Sequence, residues 1–173
     1  MTIVVMTGGS AGFGAIAARR LADRDVVRLL VGTRAPVGDT LALDLGRLAS
    51  VRAFAATVRR SLGTQRIDAL VLNAGVIRPD ADGRTADGYE TTFAVNHLAH
   101  YLLIRLLLPV LADGARIVLT TSGTYDPATV PGWRHHDMPM PSCWRTRTVI
   151  RVATRTRRWR ASTPTPRRSC APC

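Results

Sequence analysis

Three glycines set the first chemical expectation for this chain. In Thr7-Gly8-Gly9-Ser10-Ala11-Gly12-Phe13-Gly14, the glycines at 8, 12 and 14 fall between an apolar run, Ile3-Val4-Val5-Met6, and the start of a helical pattern. Lacking Cβ atoms, they let the backbone come close to a pyrophosphate. The helix N-terminus then offers the phosphates free N–H groups and roughly half a positive charge. An ordinary tight strand-to-helix turn uses the same residues, so the glycines alone leave both readings open. The residue that would choose the nucleotide comes later. A carboxylate about twenty residues past the last glycine would accept the ribose 2′-OH of NAD. That count lands on Arg34, with no acid following until Asp39. A guanidinium there favours a 2′-phosphate through a charge-assisted bidentate contact, and therefore NADP(H) over NAD(H). The plainer reading of Arg34 is a solvated loop residue.

Other reactive residue types are present with weaker spacing. His97 and His100 lie three apart on a helical stretch, and His135 and His136 are adjacent, so either pair could meet at a metal. No carboxylate or cysteine cluster accompanies them, and no metal is expected. Cys170-Ala171-Pro172-Cys173 has CxxC spacing, but a redox pair should open a helix in a strand–helix setting, and none is written there. Thr154 to Arg160 is a basic patch with one aromatic, Trp159, as in some single-stranded nucleic-acid binders. A solvated tail explains it more simply, and no specific nucleic-acid partner is expected.

The elements that must position the glycine turn are legible as an alternation of short apolar runs and helical patterns, the sign of βαβ units and a parallel sheet. The buried runs are residues 3–6, Val26 to Val31, Leu41-Ala42-Leu43, Ile67 to Leu72 and Arg116 to Thr121. Phe13, Ala17 and Leu21 recur every four residues, which places them on one face of a first helix. Val51, Phe54, Ala55, Val58 and Leu62 follow i, i+3, i+4, i+7 spacing, and Gly63 suits the helix C-terminus. Asp87 with Glu90 three residues on resembles a capping box, opening a helix that runs to about Leu108 and is apolar on most sides beyond Tyr101. Such a helix must be covered, by its own fold or by a second copy. The longest apolar stretch, Tyr101 to Leu111, contains Arg105 and Pro109 and is too short to cross a bilayer. Thr2 to Met6 already reads as a strand with no basic leader before it, so the cytoplasm is the expected compartment.

Five motifs in order then resemble the short-chain dehydrogenase/reductase family, in particular its retinol dehydrogenase and protochlorophyllide reductase branch. They are the TGxxxGxG spacing at 7–14, Asp44-Leu45 after the third strand, and Leu72-Asn73-Ala74-Gly75 ending the fourth. Phe93-Ala94-Val95-Asn96-His97-Leu98 lies on the long helix, and Arg116 to Ser122 ends the fifth strand. The resemblance implies a Rossmann-like doubly wound parallel sheet, here incomplete at about five strands, followed by an irregular basic C-terminal tail. It implies that Thr7, Gly8, Ser10, Gly12, Phe13, Gly14, Arg34, Asp44, Leu45, Asn73, Ala74 and Gly75 hold the cofactor, with Asp44 at the adenine. Asn96 and Ser122 would be catalytic, Ser122 on the substrate oxygen and Asn96 in a water relay. The substrate would be a small carbonyl or alcohol, and a homo-oligomer could form through the 88–108 helix.

The family's Tyr-x-x-x-Lys pair, which should follow Ser122 by thirteen residues or more, is missing. The chain has no lysine at all, Tyr125 comes too early with Thr129 four residues on, and Tyr89 and Tyr101 precede Ser122. Arginine, too basic and planar, does not replace the lysine. Length suggests one domain, burying roughly 70% of its unfolded surface, but composition splits it. All twelve acids lie at or before Asp137 against fifteen arginines, giving +3; from Met138 onward nine arginines and no acid give +9 of the total +12. Residues 1–137 are therefore read as a partial nucleotide-binding domain. Residues 138–173, rich in Arg and Pro, are read as a disordered or out-of-frame tail. Read two nucleotides out of frame with suitable codons, Ser162 to Cys170 can spell Asp-Ala-Tyr-Thr-Ala-Ser-Lys-Leu, so a frameshift near Met138 is expected. The alternatives are a non-catalytic dinucleotide-binding fragment and a basic-tail nucleic-acid binder. Leaving the fifth strand and the flank of the Asn96 helix uncovered also predicts poor solubility or a low melting temperature.

Overall fold

The computed structural model describes residues 1–78, 82–121 and, for the backbone, 149–151. Six strands form one sheet in the order β3-β2-β1-β4-β5-β6. β1 (Thr2–Thr7), β2 (Val27–Thr33), β3 (Leu41–Ala42), β4 (Ile67–Leu72) and β5 (Leu111–Leu119) are parallel. β2 and β3 extend to one side of β1, β4 and β5 to the other, so the direction of winding reverses between β1 and β4. Ligands of open parallel sheets bind outside the carboxyl ends of the strands at such a reversal.

β1 is buried along Ile3 to Thr7 because both of its faces are covered. Ile3 and Val5 join Phe54 and Val58 of α2 (Leu48–Leu62) and Leu103 and Leu107 of α4 (Ala99–Leu107) in the main core. Met6, on the opposite face, packs with Val31 and with Ala18 of α1 (Gly12–Ala22). The predicted face of α2 is the buried one, and Gly63 ends the helix with a φ of 56°.

Two helix expectations are corrected, and one short strand is added. The inward face of α1 is Gly14 and Ala18, whereas Phe13 is 90% exposed and Ala17 is exposed. The start of the helix lies so close to the glycine turn that a side chain at Gly14 would meet the Gly8 carbonyl, so small residues face inward there. The capping pair at 87 and 90 is also divided. Glu90 alone caps α3 (Thr91–Phe93), accepting from the N–H groups of Thr92 and Phe93. Asp87 instead accepts the N–H of Leu48 at 2.7 Å, at the start of α2. The added strand is Val149–Arg151, within the stretch read as an irregular tail; it forms β6 and pairs antiparallel with Arg116 to Val118. A Val-Ile pair suits an extended edge.

The helical run Thr91–Val110 has about the expected length, but it is not one uniform helix: α3 continues through a π-turn, Ala94–Leu98, into α4 and a 3₁₀ turn, Leu108–Val110. This twenty-residue run, with a mean hydropathy of 1.4 over an eighteen-residue window, meets the length and composition needed to cross a bilayer. Ala94, Ala99, Leu103 and Leu107 are nevertheless buried in this fold, so length alone carries no transmembrane assignment.

Candidate functional site

The carboxyl ends of β1, β2 and β4 open into a cleft of about 680 Å³, a size common for cofactor sites. The cleft is lined by Thr7, Gly8, Ser10, Phe13, Gly14, Arg34, Asp44, Leu45, Asn73, Ala74 and Gly75, all singled out from the sequence. Gly12 is not part of this wall; it opens α1 with a φ of 54° and no atoms close to its missing side chain. Asn96 is not part of the lining; it is exposed, and its side chain bonds Val76, a lining residue. Ser122 lies outside the described residues. So do Tyr125, His135 and His136, the basic patch at 154–160, and the segment 162–173.

Close backbone approach explains two of the glycines. A Cβ on Gly8, whose φ is 73°, would sit 2.6 Å from the Ala74 Cα; one on Gly14 would sit 2.0 Å from the Gly8 carbonyl oxygen and 2.5 Å from Asn73 Nδ2. The turn is thereby pressed against the end of β4. The N-terminus of α1 has no side-chain cap and no acid in its first turn, leaving its amides available to an anion.

Polar side chains hold the wall in place. Thr7 borders the cleft but is fully buried, and its hydroxyl turns inward to accept the N–H groups of Asn73 at 3.1 Å and Ala74 at 3.2 Å. Asn73 donates from Nδ2 to the Gly8 carbonyl and accepts the Thr120 hydroxyl at Oδ1, both at 3.1 Å, tying β1 to β5. Asp44 accepts the Gly46 N–H and donates its own to Ser50, both at 2.9 Å. Asn96 grips one residue twice: Oδ1 accepts the Val76 N–H and Nδ2 donates to the Val76 carbonyl, each at 2.8 Å.

The electrostatics favour a polyanion. Arg47, Arg78 and Arg84 join Arg34 on the lining, against one carboxylate, Asp44. No sequence rule pointed to these three, since only the folded loops bring residues 47, 78 and 84 together. Thr33, beside Arg34 at the end of β2, has a buried hydroxyl without a hydrogen-bond partner among the described residues. A glycine cradle, an uncapped helix start and a lining rich in guanidinium groups together fit the phosphates of a dinucleotide.

His97 and His100 do not converge as a metal pair. His97 is exposed and stacks on Phe93 with ring centroids 5.4 Å apart. His100 is buried against Thr7, its Nε2 3.1 Å from the hydroxyl. Burial pushes its pKa below the ordinary histidine range, against the pull of the Asn96 carbonyl, and His97 adds to the lowering.

A family model described as short chain dehydrogenase matches residues 2–131. Protochlorophyllide reductase A of rice is 38% identical over 151 residues, covering 75% of this chain and 38% of the rice protein. Polyprenol dehydrogenase of mouse is 37% identical over 151 residues, covering 74% of this chain and 44% of that protein. The chain thus spans less than half the length of either. Among solved structures, a short chain dehydrogenase of Burkholderia cenocepacia in complex with NADP superposes with a TM-score of 0.58 at 28% identity, over 70% of this chain and 56% of that one. Cleft, strand order and sequence agree, and the chain belongs to the short-chain dehydrogenase family.

Proposed function

We propose that this chain is the dinucleotide-binding part of an NADP(H)-dependent oxidoreductase acting on a small carbonyl or alcohol, and that on its own it binds cofactor without efficient turnover. The observation that carries the reading is the cationic cleft above the Gly8–Ala74 contact. Gly8, Ser10 and Gly14 with the first turn of α1 would hold the diphosphate. Arg34 and Thr33 would hold the 2′-phosphate, and Asp44 with Leu45 the adenine. The bound nicotinamide supplies hydride chemistry. Asn96, Thr120 and the segment leading to Ser122 would face the reacting end.

Among the described residues no tyrosine is placed to donate a proton into the cleft. Neither Tyr89 nor Tyr101 lines the cleft, and the chain has no lysine to lower a tyrosine's pKa. The acid-free composition after Met138 supports a shift of reading frame there; an unshifted frame through this region in the genes of close relatives counts against it. Among the activities of its relatives, NADP binding is named for the Burkholderia cenocepacia protein, and reduction or dehydrogenation for the rice and mouse proteins. Turnover of NADPH with a panel of aldehydes and ketones should be at or near the uncatalysed rate. Vigorous turnover by the unaltered chain contradicts the impaired reading and leaves cofactor binding intact. Arg34→Ala should weaken NADPH binding by about ten- to a hundred-fold, the worth of a hydrogen-bonded charge, with little change for NADH. Equal losses for both nucleotides would remove Arg34 from the 2′-phosphate.

A further inference from the structure

A closed circuit of hydrogen bonds lies behind the cleft, and its central residue, His100, has no part in the cofactor cradle. Its proton positions follow from counting. A threonine hydroxyl has one hydrogen and two lone pairs. Both Thr7 lone pairs are taken, by the N–H groups of Asn73 and Ala74. The Thr7 hydrogen must therefore point to His100 Nε2, 3.1 Å away, which makes that nitrogen the acceptor. The ring proton then sits on Nδ1 and donates to the backbone carbonyl of Asn96 at 3.3 Å. Asn96 closes the circuit by holding Val76, three residues beyond Asn73 on the same segment.

We propose that His100, as the neutral imidazole with its proton on Nδ1, is the positioning residue that fixes Asn96 relative to the glycine turn, so that the cofactor cradle and Asn96 move as one unit. The link to function rests on the NADP(H) reading; the circuit itself does not. Protonation breaks it, because an Nε2–H would face a hydroxyl whose lone pairs are already filled, and Thr7 would have to release Asn73 or Ala74. His97, on the same helical run, is the titratable group that acts electrostatically on His100. β1 and the end of β4 bring Thr7, Asn73 and Ala74 to the circuit, none of them ionisable.

The test is ¹⁵N NMR of the imidazoles together with amide exchange at Asn73, Ala74 and Val76, on the full chain without ligand, between pH 8 and 5. His100 should show the Nδ1–H tautomer and titrate below the ordinary histidine range, with protection of these amides lost as it titrates. In His100→Gln, whose side-chain oxygen can still accept from Thr7 but cannot titrate, that protection should stay flat with pH. An Nε2–H tautomer, or the same acid loss in the Gln variant, overturns the proposal. If the Gln variant does not fold, Thr7→Ser, which keeps the hydroxyl, should preserve the tautomer; Thr7→Val should let His100 leave it. An unchanged tautomer in Thr7→Val also overturns the proposal. NADPH titration supplies the functional arm. Its 2′-phosphate itself titrates near pH 6, so the difference between wild type and His100→Gln is read. Wild-type affinity should fall by about ten-fold more per pH unit below the His100 transition, the slope of one linked proton. Equal slopes overturn the coupling. Absence of NADPH binding at every pH defeats the cofactor reading, while tautomer and exchange still decide the positioning role.

Discussion

At the scale of single residues, steric fit and proton placement govern this site. Gly8→Ala would place a Cβ against the Ala74 backbone at a φ of 73°. It should cost about 1–3 kcal/mol of stability and lose dinucleotide binding even where the chain remains folded; denaturant titration and calorimetry read the two effects separately. Acid acts through His100. Its folded-state pKa lies below the ordinary value, so the unfolded chain binds the proton more readily. The contribution to stability is complete above an unfolded pKa of about 6.5 and is lost as pH falls from there through the folded value. A melting temperature that falls below about pH 6.5 in wild type, and falls less in His100→Gln, is the expected result; parallel curves would refute it. Much of the cleft's lining was legible because glycine spacing and Asp44-Leu45 are local signals. His100 was not, since a histidine three residues from another suggests a metal pair until the fold shows one ring outside and one within. Arg47, Arg78 and Arg84 were hidden for a related reason: they are cationic neighbours only through tertiary folding.

At the scale of elements, the alternation of apolar runs located all five parallel strands, although β5 begins at Leu111, five residues before the run read at 116–121, and the spacing in α2 gave its buried face. α1 defeated the same reasoning. Periodicity ranks large apolar residues as inward, but the approach of Gly14 to Gly8 leaves no room for Phe13 beneath the helix. Phe13→Ala should therefore change stability by less than about 0.5 kcal/mol. A loss of 3 kcal/mol or more, typical of truncating a buried Phe, would mean that α1 is rotated from this description. The π-turn at Ala94–Leu98 was likewise invisible, because the extra residue that it inserts leaves no compositional mark. It carries Asn96, in keeping with the frequency of such turns at functional sites.

At the scale of the whole molecule, the described residues cover the sheet better on one face than on the other. α2 and α4 bury the main core, whereas α1 covers a smaller cluster. Tyr101, Phe93, Ile16 and Val118 remain exposed. Apolar surface of this kind favours self-association, so we expect low solubility and a low melting temperature for the isolated chain. A saturating nucleotide should raise that temperature. At a hundred times Kd the gain is about 2.7 kcal/mol, or roughly 5–10 °C for a domain of this size. A cooperative, high-temperature melt insensitive to NADPH would contradict both expectations.

Calorimetric titration of the folded chain with NADPH and, separately, NADH puts the central claim to its most direct trial. Phosphates bound on the amides of α1 and Arg34 should give one site per chain and tighter binding of NADPH. No heat from either nucleotide, on material shown to be folded, would leave the cationic cleft without its ligand.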